Sequence, residues 1–276
     1  MHNGLKVSGE SWEWQDDAPI GRGLDHGGCW AVRGAASPVG GIVPPPFCGA
    51  GVPWYLLAVR TPLAIWGTSG HARVVADIVR CGELFEIVGF LDDLNPDRHG
   101  QEFCYARVLG GRSELPRLLA AGVRHLILAF GDNAARYRLG AEMKKAGFSL
   151  GTAIHPRSIV AADARIGQGT VIAAGAVVNP HVTIGENVIV NTGATVDHDG
   201  VLGDAVHISP GAHLAGGVRV GCETWIGMGS LILEGRDVGA RTIIGAGSVV
   251  TRAIGDDVVA FGVPARVVRS RKVERT

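Results

Sequence analysis

Residues 184–214 read IGENVIVNTGATVDHDGVLGDAVHISPGAHL, and an aliphatic residue stands at every sixth position of this stretch. The same period continues in both directions without insertion. The aliphatic positions are Ile154, Val160, Ile166, Ile172, Val178, Ile184, Val190, Val196, Leu202, Ile208, Leu214, Val220, Ile226, Ile232, Val238, Ile244 and Val250. A six-residue aliphatic repeat with turn glycines predicts a parallel β-helix. A β-sandwich would not keep this register over so long a stretch.

Each hexad is predicted to supply one short strand and one tight turn, with the aliphatic side chain pointing inward. Three hexads make one coil of eighteen residues, so coils stack in register and pair their backbones. A glycine often follows the aliphatic residue directly, at Gly167, Gly185, Gly203, Gly221, Gly227, Gly239 and Gly245. We expect these glycines to supply the positive φ of a sharp corner.

Composition narrows the class of protein. The formal net charge is zero over 276 residues, so the chain has no electrostatic footprint for nucleic acid. No apolar run reaches the length of a membrane span, and the N-terminus does not resemble a signal peptide. The five cysteines are scattered and match no zinc or disulfide spacing, which predicts a reducing, cytoplasmic location.

Residues 1–60 differ from the rest because they are rich in Gly, Pro and Trp and show no sustained period. One interpretation is a disordered extension that buries too little apolar surface to fold. The other is that the protein proper begins near Val59 and that the assigned start is too early. We assign this segment no function under either interpretation.

Residues 62–150 predict a small α/β domain. Pro62–Trp66 is an apolar strand that ends in the turn Gly67-Thr68-Ser69-Gly70-His71, and a helix follows. This opening is typical of a Rossmann-like unit, whose helix N-terminus can bind phosphate, although a plain βα turn fits equally well. A second strand ends in Asp92 and Asp93, where such folds contact a ribose or base. The length favours fewer strands than a full six-stranded fold.

The predicted domains are therefore an extension at 1–60, a Rossmann-like domain at 61–150, a β-helix at 151–252 and a C-terminal tail at 253–276. The tail contains the segment Gly262-Val263-Pro264-Ala265-Arg266.

The outward positions after Val196 are Asp197, His198 and Asp199. A carboxylate beside an imidazole can orient it and make it more basic, so His198 is a candidate general base. Gly216 lies eighteen residues later and should stack beside His198, where its N–H could stabilise an oxyanion. The alternative is that His198 is one of the surface histidines common on such a solenoid.

Several motifs together resemble one family. They are Gly67-Thr68-Ser69-Gly70-His71-Ala72, Gly89-Phe90-Leu91-Asp92-Asp93, Gly131-Asp132-Asn133, Val196-Asp197-His198-Asp199 and Gly262-Val263-Pro264-Ala265-Arg266. In this order they resemble the bacterial hexapeptide-repeat sugar acyltransferases, which N-acetylate UDP-4-amino-sugars or O-acetylate sialic acid in cell-surface polysaccharide biosynthesis. The resemblance covers residues 62–276. It implies a left-handed β-helix, a homotrimer, acetyl-CoA as donor and a nucleotide-sugar, most simply a UDP-amino-sugar, as acceptor.

The resemblance also implies roles for single residues. It makes His198, Asp199 and Asn191 catalytic, and it assigns Gly216, His207 and Arg266 to acetyl-CoA and its oxyanion. The nucleotide-sugar positions that it implies are Gly67, Ser69, Gly70, His71, Asp92 and Asp93. It implies no metal.

The predicted reaction is direct transfer without an acyl-enzyme: His198 takes a proton from the sugar amine as the nitrogen attacks the thioester. Three alternatives stay open. The first is O-acetylation of sialic acid or another sugar hydroxyl. The second is a metal-dependent trimeric β-helix hydratase, for which His198, His207 and His213 would be the ligands. The third is a non-catalytic scaffold that binds a sugar nucleotide.

Overall fold

The computed structural model of the protein describes residues 60–271, which lie within one compact unit, Tyr55–Thr276. Residues 1–59 and 272–276 lie outside the described residues. The prediction for the extension at 1–60, and the end of the predicted tail, therefore concern parts that are not described.

An α/β layer opens the described chain. Its elements are β1 (Thr61–Trp66), α1 (Gly70–Gly82), β2 (Phe85–Leu91), β3 (Glu102–Phe103), β4 (Ala106–Gly110), α2 (Leu115–Ala120), β5 (His125–Leu128), α3 (Asn133–Lys145) and β6 (Ser149–Leu150). The sheet order is β3-β4-β2-β1-β5-β6, and every pair is parallel except β3 with β4. The expectation of fewer than six strands was wrong, because β3 and β6 are two-residue strands that carry no periodic signal.

The turn between β1 and α1 is fixed by sterics. Gly67 has φ +123°, and a Cβ on it would lie 2.8 Å from the carbonyl oxygen of Ala129. The helix that follows buries Ala72, Val75 and Ile78 against the sheet. These residues belong to one apolar cluster with residues from β1, β2 and β5, so α1 packs against these strands.

The β-helix follows, and its two-residue strands form three faces. The first face contains β7 (Ala153–Ile154), β10 (Val171–Ile172), β13 (Ile189–Val190), β16 (His207–Ile208), β19 (Trp225–Ile226) and β22 (Ile243–Ile244). The second contains β8 (Ile159–Val160), β11 (Val177–Val178), β14 (Thr195–Val196), β17 (His213–Leu214), β20 (Leu231–Ile232) and β23 (Val249–Val250). The third contains β9 (Arg165–Ile166), β12 (Thr183–Ile184), β15 (Val201–Leu202), β18 (Arg219–Val220) and β21 (Asp237–Val238).

Neighbouring strands of a face pair in parallel with partners eighteen residues apart, such as Val178 with Val196. The predicted fold class, an α/β domain followed by a left-handed β-helix, is confirmed. From Ile172 to Val250 every aliphatic position of the repeat is at most 3% exposed. Burial of one such side chain contributes about 1.5–3 kcal/mol, so this ladder is the main source of stability. Ile154, in the first coil, is 39% exposed.

The role predicted for the glycines after the aliphatic residues was wrong. Positive φ occurs three residues after the aliphatic, and glycine, Asn187, Asp199, Ala205 and Glu223 all adopt it, with φ between 54° and 59° for these four. The glycines directly after the aliphatic residue are needed for a different reason. A Cβ on Gly221 would lie 2.4 Å from the nitrogen of Ala240 on the next coil. Stacked coils therefore approach too closely for a side chain there.

The end of the described chain is an antiparallel hairpin of β24 (Val258–Gly262) and β25 (Ala265–Ser270). It extends the first face because β24 pairs with β22 in parallel. None of the three α-helices in residues 60–271 has the length and apolar character needed to cross a bilayer.

Candidate active site

His198 lies on the corner between the second and third faces, in the turn after β14. Its Nδ1 is 2.8 Å from Oδ2 of Asp199. Asp197 fixes the backbone of this corner, because its Oδ1 accepts from the His198 N–H at 2.8 Å and from Asn179 at 2.7 Å. The imidazole is 54% exposed. It is therefore oriented by a carboxylate but remains open to a substrate.

Gly216 lies directly beside this imidazole on the next coil, as its spacing predicts. A Cβ on Gly216 would lie 2.5 Å from both Cε1 and Nε2 of His198. The coils are joined here by the N–H of Gly217, which donates to the His198 carbonyl oxygen at 2.8 Å. With Nδ1–H donating to Asp199, the free lone pair is on Nε2, next to the Gly216 backbone.

The charges around His198 are all negative. The hydrogen bond to Asp199 raises the pKa of His198, and the charges of Asp197, Asp199 and Glu234 act in the same direction. Glu234 lies one coil beyond Gly216, on the same corner. A negative surrounding makes the imidazole more basic and also attracts a cationic amine.

His207 lies in a different environment, on the first face. It is 8% exposed. Its ring stacks on Trp225 with centroids 5.4 Å apart, and its Nε2 is 3.2 Å from the amide nitrogen of Asn191. The ring of His71, from α1, lies with its centroid 6.3 Å away. Asn191 therefore contacts His207 in this chain and not His198.

Burial and a nearby cation keep this second pair of histidines neutral. Burial, then the charge of Arg136, lowers the pKa of His71 to about 4. Burial, then Arg136 and His71, lowers the pKa of His207 to about 3. The Nε2 of His71 and the Nδ1 of His207 are buried without a hydrogen-bond partner. These two rings are hydrogen-bonding groups at neutral pH and poor bases.

One chain does not bring the two sets of residues together. His198, Asp199 and Gly216 lie on the corner opposite the first face, whereas His71, His207 and Asn191 lie on or beside that face. The spacing of nine residues between His198 and His207 is half a coil, so the two imidazoles point to opposite sides of the β-helix.

A cavity of about 500 Å³ opens above the carboxyl ends of β1 and β2. Gly67, Ser69, Asp92 and Asp93 are among its lining residues. Trp66, Leu94, Phe130 and Leu139 give it apolar walls, and Asn95, Arg98 and Asp132 add polar groups. Its place in the sheet is where α/β folds bind nucleotides.

The two aspartates of this cavity already have protein partners. Asp92 is 5% exposed, and its carboxylate accepts from Thr68, from Asn95 and from the N–H of Leu94. Burial opposes ionisation, but these hydrogen bonds prevail and lower the pKa of Asp92. Asp93 accepts from the backbone and side chain of Arg112 at 2.7 and 3.2 Å. Asp92 thus shapes the cavity wall, and its oxygens are occupied.

The remaining predicted residues lie elsewhere. Gly70 begins α1 and has open space beside its Cα. Arg266 lies exposed on β25, where it donates to the carbonyl oxygen of Ala265. No contact in the described residues joins Arg266 to His198 or Gly216.

Within residues 60–271 one group of side chains has the composition of a metal site. Donor atoms of Asp77, Cys81 and His155 lie within 4.8 Å of one another, far in the chain from His198. The Nδ1 of His155, however, accepts the N–H of Arg157 at 3.0 Å. A metal on Nδ1 would have to displace this hydrogen bond, and a metal on Nε2 would leave Nδ1 without the proton that a metal-bound neutral imidazole carries there.

Sequence reasoning missed Trp225, on the first face, and Arg136, on α3. Trp225 could have been found, because it follows His207 by eighteen residues and must stack on it. Arg136 has no such signal: it is one of several arginines near α3, and only the packing distinguishes it.

Comparisons with known proteins agree with this architecture. The profile of the PglD N-terminal domain matches residues 62–143, and the profile of the bacterial transferase hexapeptide (six repeats) matches residues 163–198 and 217–252. No curated protein matches the chain significantly.

Solved structures match over nearly their whole length. A mutant of perosamine N-acetyltransferase from Caulobacter crescentus, in complex with CoA and GDP-perosamine, is 39% identical, with a TM-score of 0.73 over 77% of this chain and 99% of that one. The acetyltransferase domain of PglB from Neisseria gonorrhoeae, in complex with acetyl coenzyme A, is 38% identical, with a TM-score of 0.71 over 76% of this chain and 100% of that one. WeeI from Acinetobacter baumannii shares the fold at 22% identity and a TM-score of 0.67, over 76% of this chain and 100% of its own.

Proposed function

Because the chain belongs to the hexapeptide-repeat sugar acyltransferases with a PglD-type N-terminal domain, we propose that it N-acetylates a nucleotide-linked amino-sugar with acetyl-CoA. Two of the relatives named above, those from Caulobacter crescentus and Neisseria gonorrhoeae, are acetyltransferases in complex with CoA or acetyl-CoA, and the first also holds GDP-perosamine. The nucleotide portion of the acceptor would occupy the cavity at the ends of β1 and β2.

The observation that carries the proposal is the arrangement of His198, Asp199 and Gly216. Nδ1–H of His198 donates to Asp199, so Nε2 is free to accept a proton from the sugar amine. As the nitrogen attacks the thioester carbon, the carbonyl oxygen becomes an oxyanion. When this intermediate collapses, the C–S bond breaks and the His198 imidazolium returns its proton to the sulfur, so that CoA leaves as a thiol. Within the described residues the Gly216 N–H has no acceptor, so it can donate to the developing oxyanion beside Nε2.

The carboxylates near His198 favour an amine over a hydroxyl acceptor. Asp197, Asp199 and Glu234 all act on the imidazole. The negative potential of these carboxylates attracts an ammonium group. It also raises the pKa of the imidazole towards that of an amine, so that the imidazole can take a proton from the amine. A neutral hydroxyl would gain only from the more basic imidazole and would not be attracted by the charge.

The separation of the two histidine sets supports a homotrimer. His198 lies on the corner opposite the face that meets the α/β domain, so a complete site would join His198 of one copy to the acceptor pocket of another. Exposed apolar side chains follow the second face, which ends at the His198 corner: Leu231 is 42% exposed, Leu233 44%, and Met228, in the turn that precedes this face, 60%. Such a surface is typical of one that is covered in an oligomer.

The activity is tested by thiol release from acetyl-CoA. The acceptors are GDP-perosamine, a UDP-linked 4-amino-sugar and, for hydroxyl transfer, sialic acid. We expect transfer to a nucleotide-linked amine and a product with a new amide. Transfer to sialic acid alone, or to no acceptor, would contradict the proposal.

A mixing experiment tests the shared site. One variant carries His198→Ala and the other His207→Ala, and each should be inactive by itself. The two are mixed in equal amounts and assembled together. If each site takes one histidine from each of two copies, random assembly leaves about a quarter of the sites intact. Activity near that fraction is expected, and no recovery would place the whole site within one chain.

A further inference from the structure

Arg136, on α3, is 1% exposed. Within residues 60–271 its hydrogen bonds go to no carboxylate, although the charge of Asp132 acts on it. Its guanidinium donates to four oxygens: the carbonyls of Asn187 at 2.9 Å, Ala205 at 2.9 Å and Phe130 at 3.0 Å, and the side chain of Asn133 at 3.0 Å. Burial lowers the pKa of Arg136 to about 10, so it stays charged at neutral pH. A charge buried among carbonyls is costly, and an apolar residue would fill the same space more cheaply.

The carbonyls that Arg136 binds belong to successive coils. Asn187 and Ala205 occupy the same position on the corner between the third and first faces, one coil apart, and both have positive φ. Asn133 continues the series, because its amide donates to the carbonyls of Glu223 and Thr224 one coil further on. Two residues at the start of α3 thus bind three consecutive coils.

Arg136 also lies beside both buried histidines. His71 belongs to α1 of the α/β domain, and His207 belongs to the first face of the β-helix. The charge of Arg136 acts on each of them, and His71 acts on His207 as well. The charged or titratable groups that face His207 are therefore Arg136 from α3 and His71 from α1.

We propose that Arg136 is a positioning residue that fixes the acceptor-binding domain in register on the coils that carry His207. This role rests on the proposed function, because it concerns where the acceptor is held. Arg136 does not touch the reacting atoms. The planar guanidinium has several N–H donors at a fixed spacing, so it can bind the carbonyls of two coils at once. An ammonium group, which is a single point of charge, cannot do so. Movement of α3 along the corner would displace the nucleotide cavity relative to the catalytic corner of the neighbouring copy.

The test compares three variants of the full chain. Arg136→Met removes the charge and the fork, Arg136→Lys keeps the charge but not the fork, and Arg138→Met is the control on the exposed side of the same helix. For Arg136→Met we expect kcat/KM for the nucleotide-linked amino-sugar to fall at least tenfold. The Kd for CoA, measured by calorimetry, should stay within twofold, because the corner with Gly216 is untouched.

Arg136→Lys should give an intermediate loss, and it keeps the test valid if Arg136→Met fails to fold. The proposal is overturned if the folded variant matches Arg138→Met, or if affinity for CoA falls as much as kcat/KM for the acceptor.

Hydrogen exchange gives a readout without turnover. In the Arg136 variants, amides of α3 and of residues 186–206 should exchange faster than in Arg138→Met, and equal exchange would also overturn the role of Arg136. The wild-type enzyme separates the two hypotheses. Absence of transfer to any acceptor contradicts the proposed function, whereas wild-type transfer with unaffected Arg136 variants contradicts only this inference.

Discussion

His198 and His207 lie half a coil apart on the same β-helix, and their surroundings give them opposite chemistry. His198 is exposed and paired with Asp199, which raises its pKa, whereas burial, and then the charge of Arg136, lowers the pKa of His207 to about 3. The repeat that builds the fold provides both outward positions. What distinguishes them is what lies beside each one: carboxylates and water on one corner, and an α/β domain with a buried cation on the face.

The largest expected effect tests the first half of this comparison. His198→Ala should lower kcat by roughly 10²–10⁴-fold, the usual contribution of a positioned general base. Because the side chain is exposed, the melting temperature should shift by no more than a few degrees. Steady-state kinetics and thermal unfolding measure both. Near-full turnover on a verified acceptor would make His198 an ordinary surface histidine.

The second prediction concerns the buried histidines and the dependence of stability on pH. The folded-state pKa values of His207 and His71, about 3 and about 4, lie below the unfolded value of 6.5. The unfolded chain therefore binds more protons below pH 6.5, so the stability that these rings contribute is complete above that pH and falls on acidification. By pH 5 each should cost roughly 2 kcal/mol.

Chemical denaturation at pH 7.5 and pH 5 checks the sign. His207→Gln, which cannot be protonated, should lose less stability on acidification than wild type. His198→Gln is the matched control with the opposite expectation, since a raised pKa contributes stability below pH 6.5 and loses it as pH rises. If His207→Gln loses as much stability as the wild type between pH 7.5 and pH 5, His207 is not held neutral in the folded protein.

The third prediction tests the close approach of Gly216 to His198. A methyl group at Gly216 would meet the ring at 2.5 Å, so Gly216→Ala should displace the imidazole from its position. A displacement of about 1 Å can cost up to 10²-fold in rate, and we expect kcat to fall on the order of 10- to 100-fold with little loss of stability. Gly255→Ala is the control, because nothing lies within 4 Å of its added methyl group. Equal kinetics for the two variants would show that the ring moves aside freely.

The sequence predicts much of this architecture because a β-helix is nearly one-dimensional. A period of six identifies the inward ladder, and a period of eighteen predicts that Gly216 stacks beside His198. The same arithmetic would have placed His198 and His207 on opposite sides, since nine is half of eighteen. This separation was not predicted, because the family resemblance groups residues by role and does not say which copy of the chain supplies each one.

Other features depend on packing that no period encodes. Six of the fourteen corner residues with positive φ between Gly169 and Gly247 are not glycine, because hydrogen bonds between coils hold them in place. Asp92 follows a strand where a ligand contact is expected, yet its oxygens are bound by Thr68, Leu94 and Asn95. The role of Arg136 emerges only when α3 is placed on the coils.

The smallest expected effect isolates the partner of His198. Asp199→Asn keeps a hydrogen-bonding side chain at the corner but removes the charge that raises the pKa of His198. The base acts when unprotonated, so the wild-type rate should rise with pH through this raised pKa, and the variant's rise should occur at lower pH. A less basic imidazole also removes the proton from the amine less effectively, so the plateau should fall by less than about tenfold. The two effects oppose each other at acidic pH, where the variant should approach or exceed the wild type. Profiles of kcat between pH 5.5 and 9 measure both. An unchanged acidic limb would mean that Asp199 orients the imidazole without tuning it, and the contrast with His207 would then rest on burial alone.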